Sequence, residues 1–85
     1  MNITTDQANA AAAAADKLGA ALEYHPDVYG KTRVEIETSQ AGDFALFLTA
    51  LAKISPEFAT YITNTWRTYP TYKGIVFFAP GIEIQ

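Results

Sequence analysis

Apolar positions recur along the chain with two different periods. Thr4-Thr5-Asp6-Gln7 sets a hydroxyl three residues before a glutamine, a pattern that caps a helix start reciprocally, and a run of alanines follows at once. A helix is predicted from about Thr5 to Glu23, with Ala11, Ala15, Leu18 and Leu22 on one face. Ala15 and Gly19, four apart, open that face to close approach by another backbone, within the chain or across a homodimer seam. Pro26 and Gly30 end the pattern and leave a loop over about His25 to Lys31. From Thr32 to Thr38 the period becomes two. Val34 and Ile36 face one way and Arg33, Glu35 and Glu37 the other, which predicts a strand with one wet face.

Ser39 is a capping residue by type, and with Asp43 in the first turn it predicts a second helix to about Ile54. Phe44, Phe47, Leu48 and Leu51 share one face, yet Ala45, Leu46, Ala50 and Ala52 make the helix apolar nearly all round. Its surplus face is either buried in the core or a contact surface. Ser55-Pro56-Glu57 starts a third helix, along which Phe58, Ile62, Trp66 and Tyr69 recur until Pro70. Tyr72 to Ala79 reads as a buried strand, and Ala79-Pro80-Gly81-Ile82 has the residues of a type II turn. After it, Ile82 and Ile84 alternate with Glu83 and Gln85 as a short closing strand. The order α-β-α-α-β, with that added β, predicts one α+β domain with a small antiparallel sheet packed against three helices.

Composition narrows the function more than it assigns one. Eighty-five residues are enough for one domain only. With 49% hydrophobic and 18% charged residues the chain is too apolar to be a disordered tail. The lack of cysteine excludes disulfides, zinc–thiolate sites, iron–sulfur clusters and thiol catalysis. One histidine and two serines, both serines at helix-cap positions, do not make a nucleophile–base–orienter set, and His25 with Asp27 has no third member. Asp6, Asp16, Asp27 and Asp43 match no metal-ligand spacing, and the five glycines are too scattered to cradle a phosphate. The expectation is a non-enzymatic protein without cofactor or metal. The first charges are acidic and the alanine run is far shorter than a bilayer requires, so neither a secretion signal nor a membrane span is expected, and the default location is the cytoplasm.

Two stretches mix aromatic and charged side chains. Trp66-Arg67-Thr68-Tyr69-Pro70-Thr71-Tyr72-Lys73 has the chemistry that stacks and neutralises single-stranded nucleic acid, but a net charge of -3 has the wrong sign for phosphate backbones. Aromatics beside arginine also make protein-interface hot spots, which an acidic chain allows. Arg67, Tyr69, Tyr72 and Lys73 are therefore candidate partner-binding residues. Tyr24, His25, Asp27, Tyr29 and Arg33, with Lys31 among them, form a second candidate cluster on a loop; the plainer reading is a connection whose tyrosines cover the core. The function expected is that of a small acidic protein-binding module, an inhibitor or adaptor that occupies a partner's surface, as short accessory proteins of phages and mobile elements commonly do. Its acidity steers it towards a basic partner face. The alternative carried by the alanine and leucine faces is a self-assembling structural protein.

Ala21-Leu22-Glu23-Tyr24-His25-Pro26-Asp27 resembles the end of the second helix and the His-Pro-Asp loop of J-domain co-chaperones. The helix Phe44 to Ile54 followed by Ser55-Pro56-Glu57 is loosely similar to that family's third helix and its ending. This resemblance, over about a quarter of the chain, implies that His25-Pro26-Asp27 stimulates an Hsp70 ATPase. The chain departs from the family's strongly basic second helix, having Lys17 alone, and from its helix order at the strand-like Thr32 to Thr38.

Overall fold

Helix α1 (Thr5–Lys17) in the computed structural model, which describes residues 1–27 and 30–85, begins as the sequence predicts. Thr4 Oγ1 accepts from the Gln7 N–H at 3.0 Å while Gln7 Oε1 accepts from the Thr4 N–H at 2.9 Å. It ends six residues earlier than the Glu23 expected. Gly19 takes φ +75°, and the N–H groups of Gly19 and Ala20 turn back onto the carbonyls of Asp16 and Ala15. This glycine-closed helix end redirects the chain into strand β2 (Ala21–Pro26). The segment that resembles a J-domain helix end is therefore strand, and His25 and Pro26 close it.

Strand β3 (Thr32–Thr38) has the predicted bounds and pairs antiparallel with β2, Leu22 opposite Ile36 and Tyr24 opposite Val34. Helix α2 (Ala41–Ile54) is capped differently from the expectation. Its N-cap is Gln40, which makes no side-chain cap, and the buried Thr38 hydroxyl tethers the first turn to β3 by donating to the Asp43 carboxylate at 2.8 Å. Ser55 then caps α3 (Pro56–Thr65) through the Phe58 N–H, as expected. That helix stops at Thr65 rather than running to Pro70. Trp66 is already extended and Arg67–Thr71 is strand β4, so Trp66 and Tyr69 are not helix residues.

The last strand, β5 (Gly74–Ile84), runs through the predicted turn without reversing. Thr32 pairs with Ile82 and Val34 with Ala79, so Pro80 and Gly81 together face the single residue Arg33. Gly81 at φ +78° absorbs the extra residue as a bulge, and Tyr61 Oη donates to the Pro80 carbonyl at 2.7 Å beside it. Strand β5 is the spine of the sheet. Its one edge pairs with β3 and its other edge takes β4 antiparallel near its start and β1 (Asn2–Ile3) parallel near its end. The sheet is thus mixed, not purely antiparallel as expected, and the α+β class holds. Pro26 and Pro70 fall on β2 and β4, the positions where a sheet tolerates a missing N–H. Gly74 is fixed by space: a Cβ there would collide with the Thr38 carbonyl and approach Ser39 Cα at 2.9 Å.

All three helices pack on one face of the sheet. Val34, Ile36, Phe77, Ala79 and Ile82 meet Ala8, Ala11 and Ala15 of α1, Phe44, Phe47 and Leu51 of α2, and Phe58 and Ile62 of α3. Ala15 is fully buried there, so close approach at that alanine face is intramolecular packing. The surplus face of α2 is outside: Leu46 is 56% exposed. Among the described residues no helix is long and apolar enough to cross a membrane.

Tyr24 crosses this interface and donates its hydroxyl to the Ala8 carbonyl at 2.9 Å. Burial pushes its phenol pKa well above the ordinary value of about 10. The folded chain holds that proton more tightly than the unfolded one, so this contribution to stability is complete below the unfolded pKa and is lost as pH rises through the folded one. Tyr24→Phe is expected to lower stability at neutral pH by about 1 kcal/mol and to move the alkaline unfolding transition upward. Denaturant titrations at successive pH values check both, and an unmoved transition would assign it to another group.

Candidate functional site: the open face of the sheet

The sheet face opposite the helices is built by alternate residues of four strands. Register sets Ala21, Glu37, Val76 and Tyr69 in one row across β2, β3, β5 and β4, with Glu23, Glu35, Phe78 and Arg67 in the next, and His25 opposite Arg33 beyond. Between Ala21, Glu23, Glu35, Glu37, Tyr69 and Val76 lies a cavity of about 210 Å³. Glu23 opposite Glu35 is a like-charge pair that a sheet disfavours unless something neutralises it.

Arg33 supplies a cation beside the pair, and His25 bridges its two carboxylates. His25 Nε2 lies 2.9 Å from a carboxylate oxygen of Glu23 and 2.9 Å from Glu35 Oε2. The other oxygen of Glu35 accepts from Arg33 Nη2 at 3.0 Å and from Tyr69 Oη at 2.7 Å. The Glu35 side chain is only 13% exposed, and three donors from three strands converge on it. Arg33 also lies over the Phe78 ring at 5.3 Å, with Tyr69 beside the same ring at 5.7 Å. Its Nε is buried without a hydrogen-bond partner, so that edge of the guanidinium is held by ring contact and packing. The hydrogen bond to Glu35 raises the Tyr69 phenol above its ordinary pKa, because ionising it would set two anionic oxygens against each other.

The fold brings the two sequence clusters together from opposite ends of the chain. His25 and Arg33 from one, and Arg67 and Tyr69 from the other, share this face. Tyr72, 94% exposed, and Lys73 form the β4–β5 turn, with the ammonium 5.6 Å from the Tyr72 ring. Asp27 lies in the β2–β3 connection, its N–H donating to the Lys31 carbonyl. Tyr24 is on the opposite, helix-covered face, and Tyr29 lies outside the described residues. Sequence reasoning passed over Glu23, Glu35 and Phe78 as site members, although in strand parity Glu23 matches His25, Glu35 matches Arg33 and Phe78 faces Glu35.

Chemically, the face holds two cations, three carboxylates, an imidazole and a phenol, most of them engaged with one another. Such a set is arranged to present fixed charges and aromatic surface. Among the described residues no group of three or more His, Asp or Glu side chains is placed to hold a metal ion. Comparison with protein-family models, with curated proteins and with solved structures finds no match to this chain, so the geometry of this face carries the functional reading.

Proposed function

We propose that this chain is a non-enzymatic protein-binding module of the inhibitor or adaptor kind, acting in the cytoplasm, and that the open sheet face with the adjoining β4–β5 turn is its contact surface. The observation that supports this most is the convergence of Arg67, Tyr69, Arg33 and His25 on a helix-free face whose carboxylate row is held rigid through Glu35. Held side chains lose little freedom on binding, and arginine beside aromatic rings is the composition of interface hot spots. Glu23 and Glu37 at the margin favour a partner with basic residues facing them.

The test is capture of the partner from the source-cell lysate with the wild-type chain, its identification by mass, and affinity measurement with variants. Arg67→Glu and Glu37→Lys are each expected to weaken the stoichiometric complex by about tenfold or more while the chain stays folded by circular dichroism. Leu46→Lys, on the helix side, is expected to leave it unchanged. A complex that survives both face variants and fails with Leu46→Lys would move the contact to α2. Oligonucleotide retention at low salt, or accelerated Hsp70 ATP hydrolysis lost in His25→Gln, would replace the reading altogether.

A further inference from the structure

The sheet has two sides where a strand could be added, and they differ. On one side β4 has Pro70 inside its five residues, whereas Pro26 is the last residue of β2. On the other side lies β2, and its backbone polarity can be read from the ladder. The Asp27 N–H donates to the Lys31 carbonyl, which makes Asp27–Lys31 a hydrogen-bonded pair. Such pairs alternate along an antiparallel ladder, so Ala21, Glu23 and His25 direct their backbone groups to β3. Leu22 and Tyr24 direct N–H and C=O outward, and Pro26, whose missing N–H falls on this side, directs its C=O.

We propose that β2 pairs antiparallel with β2 of a second copy of this chain, about a two-fold axis at Tyr24, joining the two sheets into one. The alternation of Glu23 and His25, whose side chains already meet at 2.9 Å within one chain, selects the copy and the register. With the axis at Tyr24, the two Tyr24 residues exchange both backbone bonds, and the Leu22 N–H donates to the partner's Pro26 carbonyl. Glu23 then stands opposite the partner's His25 at a non-hydrogen-bonded position, where cross-strand side chains come closest, and the same contact repeats beyond the axis. Shifting one copy by two residues sets Glu23 against the partner's Glu23, or His25 against the partner's His25. Only the central register alternates acid with imidazole.

Above the edge, the Tyr24 hydroxyl bond to the Ala8 carbonyl ties α1 to β2. Helical spacing puts Thr5, Asn9, Ala12 and Asp16 on the flank of α1 turned away from Ala10 and Ala14, which line its groove with α2, so a second α1 would meet short side chains there. The backbone pairing uses the β2 edge, and it brings the Glu23–His25 end of each open face to the axis.

Sedimentation of the full chain from micromolar to submillimolar concentration is expected to show a dimer. His25→Glu, which sets like charges together on both sides of the axis, is expected to raise the dimer dissociation constant by about tenfold or more. The double variant Glu23→Lys, His25→Glu restores opposite charge and is expected to recover the dimer. The chain has no cysteine, so a mixture of Glu23→Cys and His25→Cys chains reads the register without relying on charge. Facing Cα atoms at about 4.5 Å lie within disulfide range, and a mixed cross-link is expected while Glu23→Cys alone stays unlinked. A wild-type monomer at every concentration, a dimer that folded His25→Glu leaves intact, or Glu23→Cys linking to itself in preference would each overturn the pairing. If His25→Glu does not fold, the cysteine mixture decides.

Discussion

Phe77→Ala is expected to cost about 3–5 kcal/mol, most of the stability a domain of this size possesses. Phe77 is buried, and its ring stacks on Phe44 of α2 at 4.0 Å between centroids with only 9° between planes. Trp66 closes the group, 5.6 Å from Phe44 and 5.7 Å from Phe77. The three rings come from β5, α2 and the joint between α3 and β4, so one truncation loosens three elements at once. Trp66 is 43% exposed, and without Phe77 its buried side loses support. It is the sole tryptophan, which makes denaturant unfolding followed by its fluorescence a direct check, with a red-shifted folded-state emission expected in the variant. Phe77→Leu, which keeps most of the volume, is expected to recover much of the loss. A loss under about 1 kcal/mol for Phe77→Ala would mean that α2 settles into the gap and that the ring trio does not fix its seat on the sheet.

The elements legible in the sequence are those decided by near neighbours. Thr4 and Gln7 start α1, Ser55 and Pro56 start α3, and the alternation from Thr32 to Thr38 gives β3 its bounds, because each depends on residues within a few positions. Strand β2 was hidden by Ala20-Ala21-Leu22-Glu23, which favours a helix taken alone. Gly19 was the signal against it, as a residue able to take positive φ and close the helix, after which Leu22 and Tyr24 alternate with Glu23 and His25. Trp66 and Tyr69 are three apart and fit a helix face, yet the threonines around them suit a strand as well. Pairing with β5 decides the matter, and that contact is set by tertiary structure. Pro80-Gly81 has the residues of a turn or of a bulge, and the continuation of β3 past it to Thr32 makes it a bulge. The same limit applies to the candidate site. Both aromatic–cation clusters were visible, but their convergence depends on register across four strands, and Glu35 gained its place only when β2 and β4 took theirs.

Glu35→Ala is expected to lower stability by about 2–3 kcal/mol, far more than Glu37→Ala one pleat away, which should stay within about 0.5 kcal/mol. The asymmetry follows from partners rather than charge. Glu35 receives Arg33, His25 and Tyr69 on a side chain that is largely covered, and removing it leaves a guanidinium whose Nε already lacks an acceptor. It also leaves His25 with Glu23 alone and Tyr69 without its bridge across β5. Glu35→Gln keeps an acceptor for one donor but not the charge, so its loss is expected to fall between the two. Urea unfolding of the three variants gives the stability order, and alkaline titration of the tyrosines adds a reading that packing alone would not move. In Glu35→Ala the Tyr69 phenol should ionise at lower pH, because the hydrogen bond that opposes its ionisation is gone. If Glu35→Ala costs no more than Glu37→Ala, the groups on the open face are held by water and strand geometry rather than by one another. The face would then be a mobile surface that must order on binding, and the affinity expected of a preorganised contact would shrink accordingly.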